Sequence, residues 1–84
     1  MSKNKSGHRI RAARFMNNPV ISQTDLIAKM QIMGFNISKN IMSRIEHGER
    51  YVTDLELIAF AKVLNVTTAW LLGETDNTSK KTEI

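Results

Sequence analysis

Apolar and polar positions along the chain fall into five stretches with helical spacing, separated by proline, glycine and asparagine, and none alternates convincingly with the period of a strand. "GHRIRAARFMN" (7–17) turns Ile10 and Phe15 towards a core and stops at Asn17, Asn18 and Pro19, because proline cannot continue a helix. A second helix opens at Ser22, where "SQTD" offers a capping box between Ser22 and Asp25 and Ile21 can staple to Leu26; it runs to the stop at Gly34. The third, capped by Ser38, closes at Gly48. "TDLE" repeats the capping box with Thr53 and Glu56, with Val52 and Leu57 as its staple. The body that follows, "LELIAFAKVL", is apolar nearly all round and predicts a buried central helix. "TTAWLL" starts near Thr67, staples Val66 to Leu71 and ends at Gly73. The pattern predicts an all-α domain over residues 7–73, between a disordered basic arm (1–6) and a flexible tail (74–84).

The third stretch, "ISKNIMSRIEHGER", separates its faces most sharply. Stepping about 100° per residue from Ile37 places Ile41 near about 40°, Ile45 near about 80° and Met42 near about 140°. On the same wheel Lys39, Ser43, Asn40 and Arg44 fall at about 200°, 240°, 300° and 340°. The two sets do not overlap, so one face packs and the other presents hydrogen-bonding side chains. A capped helix, a turn containing glycine and a second helix with such a face make the helix-turn-helix layout, in which the second helix enters the major groove of DNA.

Composition narrows the classes. Eighty-four residues suffice for one small domain with one core. No cysteine is present, which excludes disulfides and thiolate metal sites and suits a reducing cytoplasm. No apolar run approaches a membrane span, and the basic start lacks the apolar core of a signal peptide. The net charge of +4 is uneven. Residues 1–14 hold Lys3, Lys5, Arg9, Arg11 and Arg14 without an acid, whereas residues 52–77 hold Asp54, Glu56, Glu74 and Asp76 against Lys62 alone. One end invites phosphate and the other does not. His8 and His47 have no carboxylate at metal-ligand spacing, Asp54 and Glu56 are accounted for by a helix start, and no glycine-rich phosphate loop exists. Neither an enzyme nor a cofactor or metal is expected.

"IRAAR", "SQTDLIAKM", "ISKNIMSRIEHGERYVTD" and "LELIAFAKVLNV…WLL" resemble, in order and over roughly residues 9–72, the phage-repressor-type (Cro and Xre-like, lambda-repressor-like) helix-turn-helix family. "SRIEHGER" is the most specific segment. The link "MQIMGFN" is longer than the family's usual tight turn, which bears on how the third helix seats in a groove. The resemblance implies a compact five-helix fold with the helix-turn-helix at helices 2 and 3. It also implies a DNA-binding transcriptional regulator, a repressor by expectation, acting as a homodimer on a pseudo-palindromic operator. An antitoxin-like or other protein-interaction module with the same fold is the alternative.

The resemblance places Lys39, Asn40, Ser43 and Arg44 where the family reads bases. Arginine or lysine suits guanine, asparagine suits adenine, and serine discriminates little. Gln23 resembles the family's phosphate-contacting glutamine at a helix N-terminus, and Ser38, besides capping, is within reach of a phosphate. Arg50 and Tyr51 are expected as backbone clamps, Lys3 and Lys5 as mobile phosphate contacts, and Glu46 as a structural carboxylate bonded within the fold. Trp70, Leu71 and Leu72, closing a short helix at the edge of a small core, are the expected dimer contacts.

Overall fold

In the computed structural model, which describes residues 2–77, the chain forms α1 (Gly7–Met16), α2 (Gln23–Ile32), α3 (Lys39–Glu46), α4 (Asp54–Leu64) and α5 (Thr68–Leu71), with no strand among the described residues. The architecture is all-α. Each helix after the first starts where a hydroxyl satisfies an otherwise orphaned amide. Ser22 Oγ accepts from the Asp25 N–H at 3.0 Å and Ser38 Oγ from Ile41 at 3.1 Å. Thr53 Oγ1 accepts from Glu56 at 3.1 Å and Thr67 Oγ1 from Trp70 at 3.0 Å. Such a cap stabilises a helix by about 1 kcal/mol. Thr53 forms the complete box, since its own N–H donates to Glu56 Oε1 at 3.0 Å. At Ser22 only the serine half forms, and Asp25 stays exposed. The stops at Gly34, Gly48 and Gly73 all have positive φ, a conformation a side chain disfavours.

The core is built from Ile10 of α1, Leu26 and Met30 of α2, Met42 and Ile45 of α3, Phe60 and Leu64 of α4, and Leu71 of α5, all fully enclosed. α1 packs on α3, α4 and α5, and α2 on α3 and α4. The six residues between α2 and α3 are anchored at both ends: the Phe35 N–H donates to the Met30 carbonyl at 3.0 Å, and Ile37 is buried. Among the described residues, no helix is long and apolar enough to cross a membrane.

Four expectations are corrected. Phe15 is 52% exposed, because the buried stripe of α1 runs through Ile10, Ala13 and Arg14 and Phe15 falls beside it, under the guanidinium of Arg11 at 4.9 Å. α4 is not buried all round. Ala59, Phe60, Ala61 and Leu64 face the core, but none of the described elements covers the remaining side, where Leu55 is 64% and Ile58 44% exposed. Trp70 and Leu71 belong to the protomer's own core, with 7% and 0% exposure, because α5 lies against α1 and α4. They have almost no surface to offer a partner, and Leu72 is half-buried.

The fourth correction concerns the ends. Residues 2–6, expected to be disordered, are docked: the Lys3 N–H donates to the Gly48 carbonyl at 2.8 Å and Ser6 is buried. At Gly7, α1 comes up against the end of α3 so closely that an added Cβ would collide with the Ile45 carbonyl oxygen. At the other end Arg9 donates to the carbonyls of Trp70 and Thr75, both at 2.9 Å, and pairs with Asp76 at 3.1 Å, so the first residues of the expected tail are held on α1. Met1 and residues 78–84, parts of the expected arm and tail, lie outside the described residues.

Candidate nucleic-acid interface

α3 is anchored by Met42 and Ile45, preceded by Ile37, and turns Lys39, Asn40 and Arg44 outward. These three side chains are exposed and make no hydrogen bond or ion pair among the described residues. Ser43, on the same face, is half-buried and lies 3.4 Å from the Gln23 carboxamide nitrogen. The face continues past the helix end to His47, at about 280° on the same wheel and exposed. Its Nδ1 is 2.7 Å from the Ser43 carbonyl oxygen. A carbonyl only accepts, so Nδ1 carries the proton and the neutral ring has Nε2 as its acceptor. The periodicity that picks out Lys39 and Arg44 also picks out His47, which was weighed above only as a metal ligand.

Beneath this face lies a buried polar network. Arg14 Nε and Nη2 donate to Glu46 Oε2 and Oε1 at 2.7 and 2.9 Å, a two-pronged pair, and Arg14 Nη1 donates to the Ile21 carbonyl at 3.1 Å. Gln23 Nε2 completes it by donating to Glu46 Oε1 at 3.2 Å. Glu46 therefore bonds within the fold, and Arg14 leaves the set of cations that invite phosphate: its charge is enclosed and matched. The long stem of Arg14 lies on the buried stripe of α1 and delivers a planar fork to α3, which an ammonium would not match. Gln23, expected at a phosphate, has its carboxamide nitrogen committed inward. Through it the first turn of α2 is tied to Ser43 and Glu46 of α3.

The segment after α3 departs from expectation in part. Arg50 Nη1 and Nη2 pair with Glu56 Oε1 and Oε2 at 3.0 and 3.2 Å, and Nη1 also reaches the Tyr51 carbonyl at 3.0 Å. Its charge is spent on α4, which removes it as a phosphate clamp. Burial raises the Glu56 pKa, but hydrogen bonds from Arg50 and the Thr53 N–H, with the Arg50 charge, outweigh it and hold the carboxyl below its ordinary value. Tyr51 remains 68% exposed, with the Lys3 ammonium 5.7 Å from its ring centre. Lys5 is exposed. Ser38 is exposed, its hydroxyl oxygen accepting the capping bond. Among the described residues no three His, Asp or Glu side chains cluster to hold a metal ion.

Sequence reasoning missed Asn4 altogether. Its Nδ2 donates to the carbonyls of Ile45 and Arg50 at 3.1 and 2.8 Å, and its Oδ1 accepts from the Gly7 N–H at 2.7 Å. The two carbonyl contacts span more than 40 residues of chain and leave no local signature, whereas the bond to Gly7, three residues on, is a local one. No family model, curated protein or solved structure matches the chain.

Proposed function

We propose that the chain binds double-stranded DNA sequence-specifically, with α2 and α3 working as a helix-turn-helix of the lambda-repressor type and α3 lying in the major groove. The observation that carries this reading is the pairing of three outer side chains, Lys39, Asn40 and Arg44, that make no internal bond among the described residues with an underside locked by the Arg14–Glu46–Gln23 network. Lys39, Asn40 and Arg44 engage base edges without breaking any contact of the fold, while the network fixes the helix from which they project. Arg44 suits the two acceptors of guanine and Asn40 the donor and acceptor of adenine; Ser43, held by Gln23, sits at the margin of the reading face. Lys3, Lys5 and Tyr51 then lie among the groups for backbone phosphates. A module of this kind regulates transcription, by repression where its site overlaps a promoter.

One α3 spans too few base pairs for high specificity, so two copies on a pseudo-palindrome follow. We place the second copy on the uncovered side of α4. Leu55 and Ile58 form an apolar stripe flanked by exposed Asp54 near the start of the helix and exposed Lys62 near its end. In an antiparallel pairing about Ile58, each Asp54 meets the Lys62 of the other copy, and the apolar side chains are covered. The stripe suits a protein surface, because its charges largely cancel and offer phosphate little.

Selection of bound sequences from a random DNA library, followed by binding to the winner over a range of salt, tests the reading. The expected result is an enriched two-fold-symmetric sequence with half-sites about one helical turn apart. Its affinity should fall steeply as salt rises, because neutralised phosphates release counterions. No enriched sequence, together with salt-insensitive binding, would refute it.

A further inference from the structure

We infer that Asn4 is a positioning residue for DNA binding: it moors residues 2–6 so that Lys3 is held beside Tyr51, at the carboxy-terminal edge of the α3 polar face. The inference deepens the DNA-binding reading and rests on it.

The argument begins with the amide itself. The Gly7 N–H can only donate, so the atom of Asn4 that meets it is the oxygen. That fixes the amide's orientation and aims Nδ2 at two carbonyls, Ile45 at the last turn of α3 and Arg50 in the segment leading to α4. The Ile45 carbonyl already accepts from the Gly48 N–H at 3.0 Å, and a carbonyl oxygen has room for a second donor, so one side chain ties the end of α3 to the departing chain at Arg50. The Lys3 N–H adds a bond to the Gly48 carbonyl at 2.8 Å. Gly7 permits the approach, since a Cβ there would strike the Ile45 carbonyl.

The consequence falls on Lys3. It sits over the Tyr51 ring and shares a shallow depression with Ser2, His47, Gly48 and Glu49. His47 is the last residue of the polar face, so the ammonium continues that face. Glu49 on the same rim offsets part of the local charge, so Lys3 acts through its fixed position more than through net charge. A loose lysine must lose rotamer freedom to hold a phosphate, whereas a moored one has lost part of it on folding. Removing Asn4's donor therefore removes the benefit of Lys3 without touching any charged DNA contact.

Asn4→Asp is the sharpest variant. It keeps the acceptor for Gly7 and replaces the donor with an oxygen facing two carbonyl oxygens. Binding to the selected sequence and to random-sequence DNA is compared for the unmutated chain, Lys3→Ala, Asn4→Asp and the double variant. Each single variant is expected to weaken both DNAs alike by roughly threefold to tenfold, and the double variant to be no weaker than Asn4→Asp alone, as for two residues acting as one unit. Amide exchange should show Lys3 losing protection while Met42 and Ile45 keep theirs. Should Asn4→Asp also loosen α3, Asn4→Ala removes the same donor without adding a carboxylate, and the same comparison applies. Unchanged binding by the Asn4 variants, or losses that multiply in the double variant, overturn the inference while leaving DNA binding intact. An unmutated chain that binds no DNA overturns both.

Discussion

α3 turns Lys39, Asn40 and Arg44 to the outside over a locked polar network, whereas α4, the more apolar of the two in sequence, turns Leu55 and Ile58 out and packs the core with Ala59, Phe60, Ala61 and Leu64. Polar side chains are at home in water, so the α3 face needs no partner to be stable, and its chemistry is available to whatever it reads. Exposed Leu55 and Ile58 are in the opposite position. Each Å² of apolar surface covered stabilises by about 25 cal/mol, so the α4 face gains simply from being covered. A polar surface without internal bonds suits selective recognition, and an apolar one suits lasting contact between protein copies. The contrast can be sharpened or broken by substitution, taken from the largest effect to the smallest.

Glu46→Ala should cost about 3–5 kcal/mol, because it leaves the enclosed Arg14 guanidinium without its partner. Denaturant unfolding measures this directly. A loss under 1 kcal/mol would mean that the packing of Met42 and Ile45 alone holds α3. Arg44→Ala should leave stability unchanged and weaken binding to the preferred DNA by about 1–3 kcal/mol, flattening preference at one base pair per half-site. Retained preference after library selection would shift readout to Lys39 and Asn40.

At the start of α4, Thr53→Ala should cost about 1 kcal/mol through the lost cap. Its partner Glu56 adds a pH dependence. The folded-state pKa is lowered from 4.5, so the carboxylate's contribution is fully present above that value and is lost as pH falls through the lowered folded-state value. Stability measured across the acid range should therefore fall less steeply in Glu56→Gln. Equal slopes would place the acid response elsewhere. Leu55→Asp should shift stability by less than about 0.5 kcal/mol, since the side chain is already in water. Light scattering should nevertheless show dimers becoming monomers, and Asp54→Lys combined with Lys62→Asp should keep the dimer that either change alone breaks. A dimer indifferent to all of these would move the interface away from α4.

The helix starts were legible because capping is local: Ser22, Ser38, Thr53 and Thr67 each bond an amide three residues on, within any short window of sequence. The two faces of α3 were legible because periodicity alone separates them. What escaped depends on how neighbouring helices are set. Arg14 counts as a basic residue in any tally of charge, and only its meeting with Glu46, 32 residues away, turns it into an internal strut. Arg50 was diverted in the same way by Glu56, whose place in a capping box explained it too completely to suggest a second partner. The wheel of α4 gives its composition by angle, but which angle stays uncovered is decided by α1, α2 and α5. Trp70 and Leu71 were misplaced for the converse reason: a short helix near the end of the chain looks peripheral, yet α5 fills the space between α1 and α4.

The missing methyl at Gly7 sets how tolerant this protein is to sequence change. Position 7 contributes no side chain to the core, and a composition-based guess would leave it free to vary. Its backbone nevertheless lies against the Ile45 carbonyl with no room for a Cβ, so even alanine must push α1 away from α3. In a survey of every single substitution scored for folded protein, position 7 should be as closed as the enclosed Phe60, while Ile32, large, apolar and 85% exposed, should accept nearly anything.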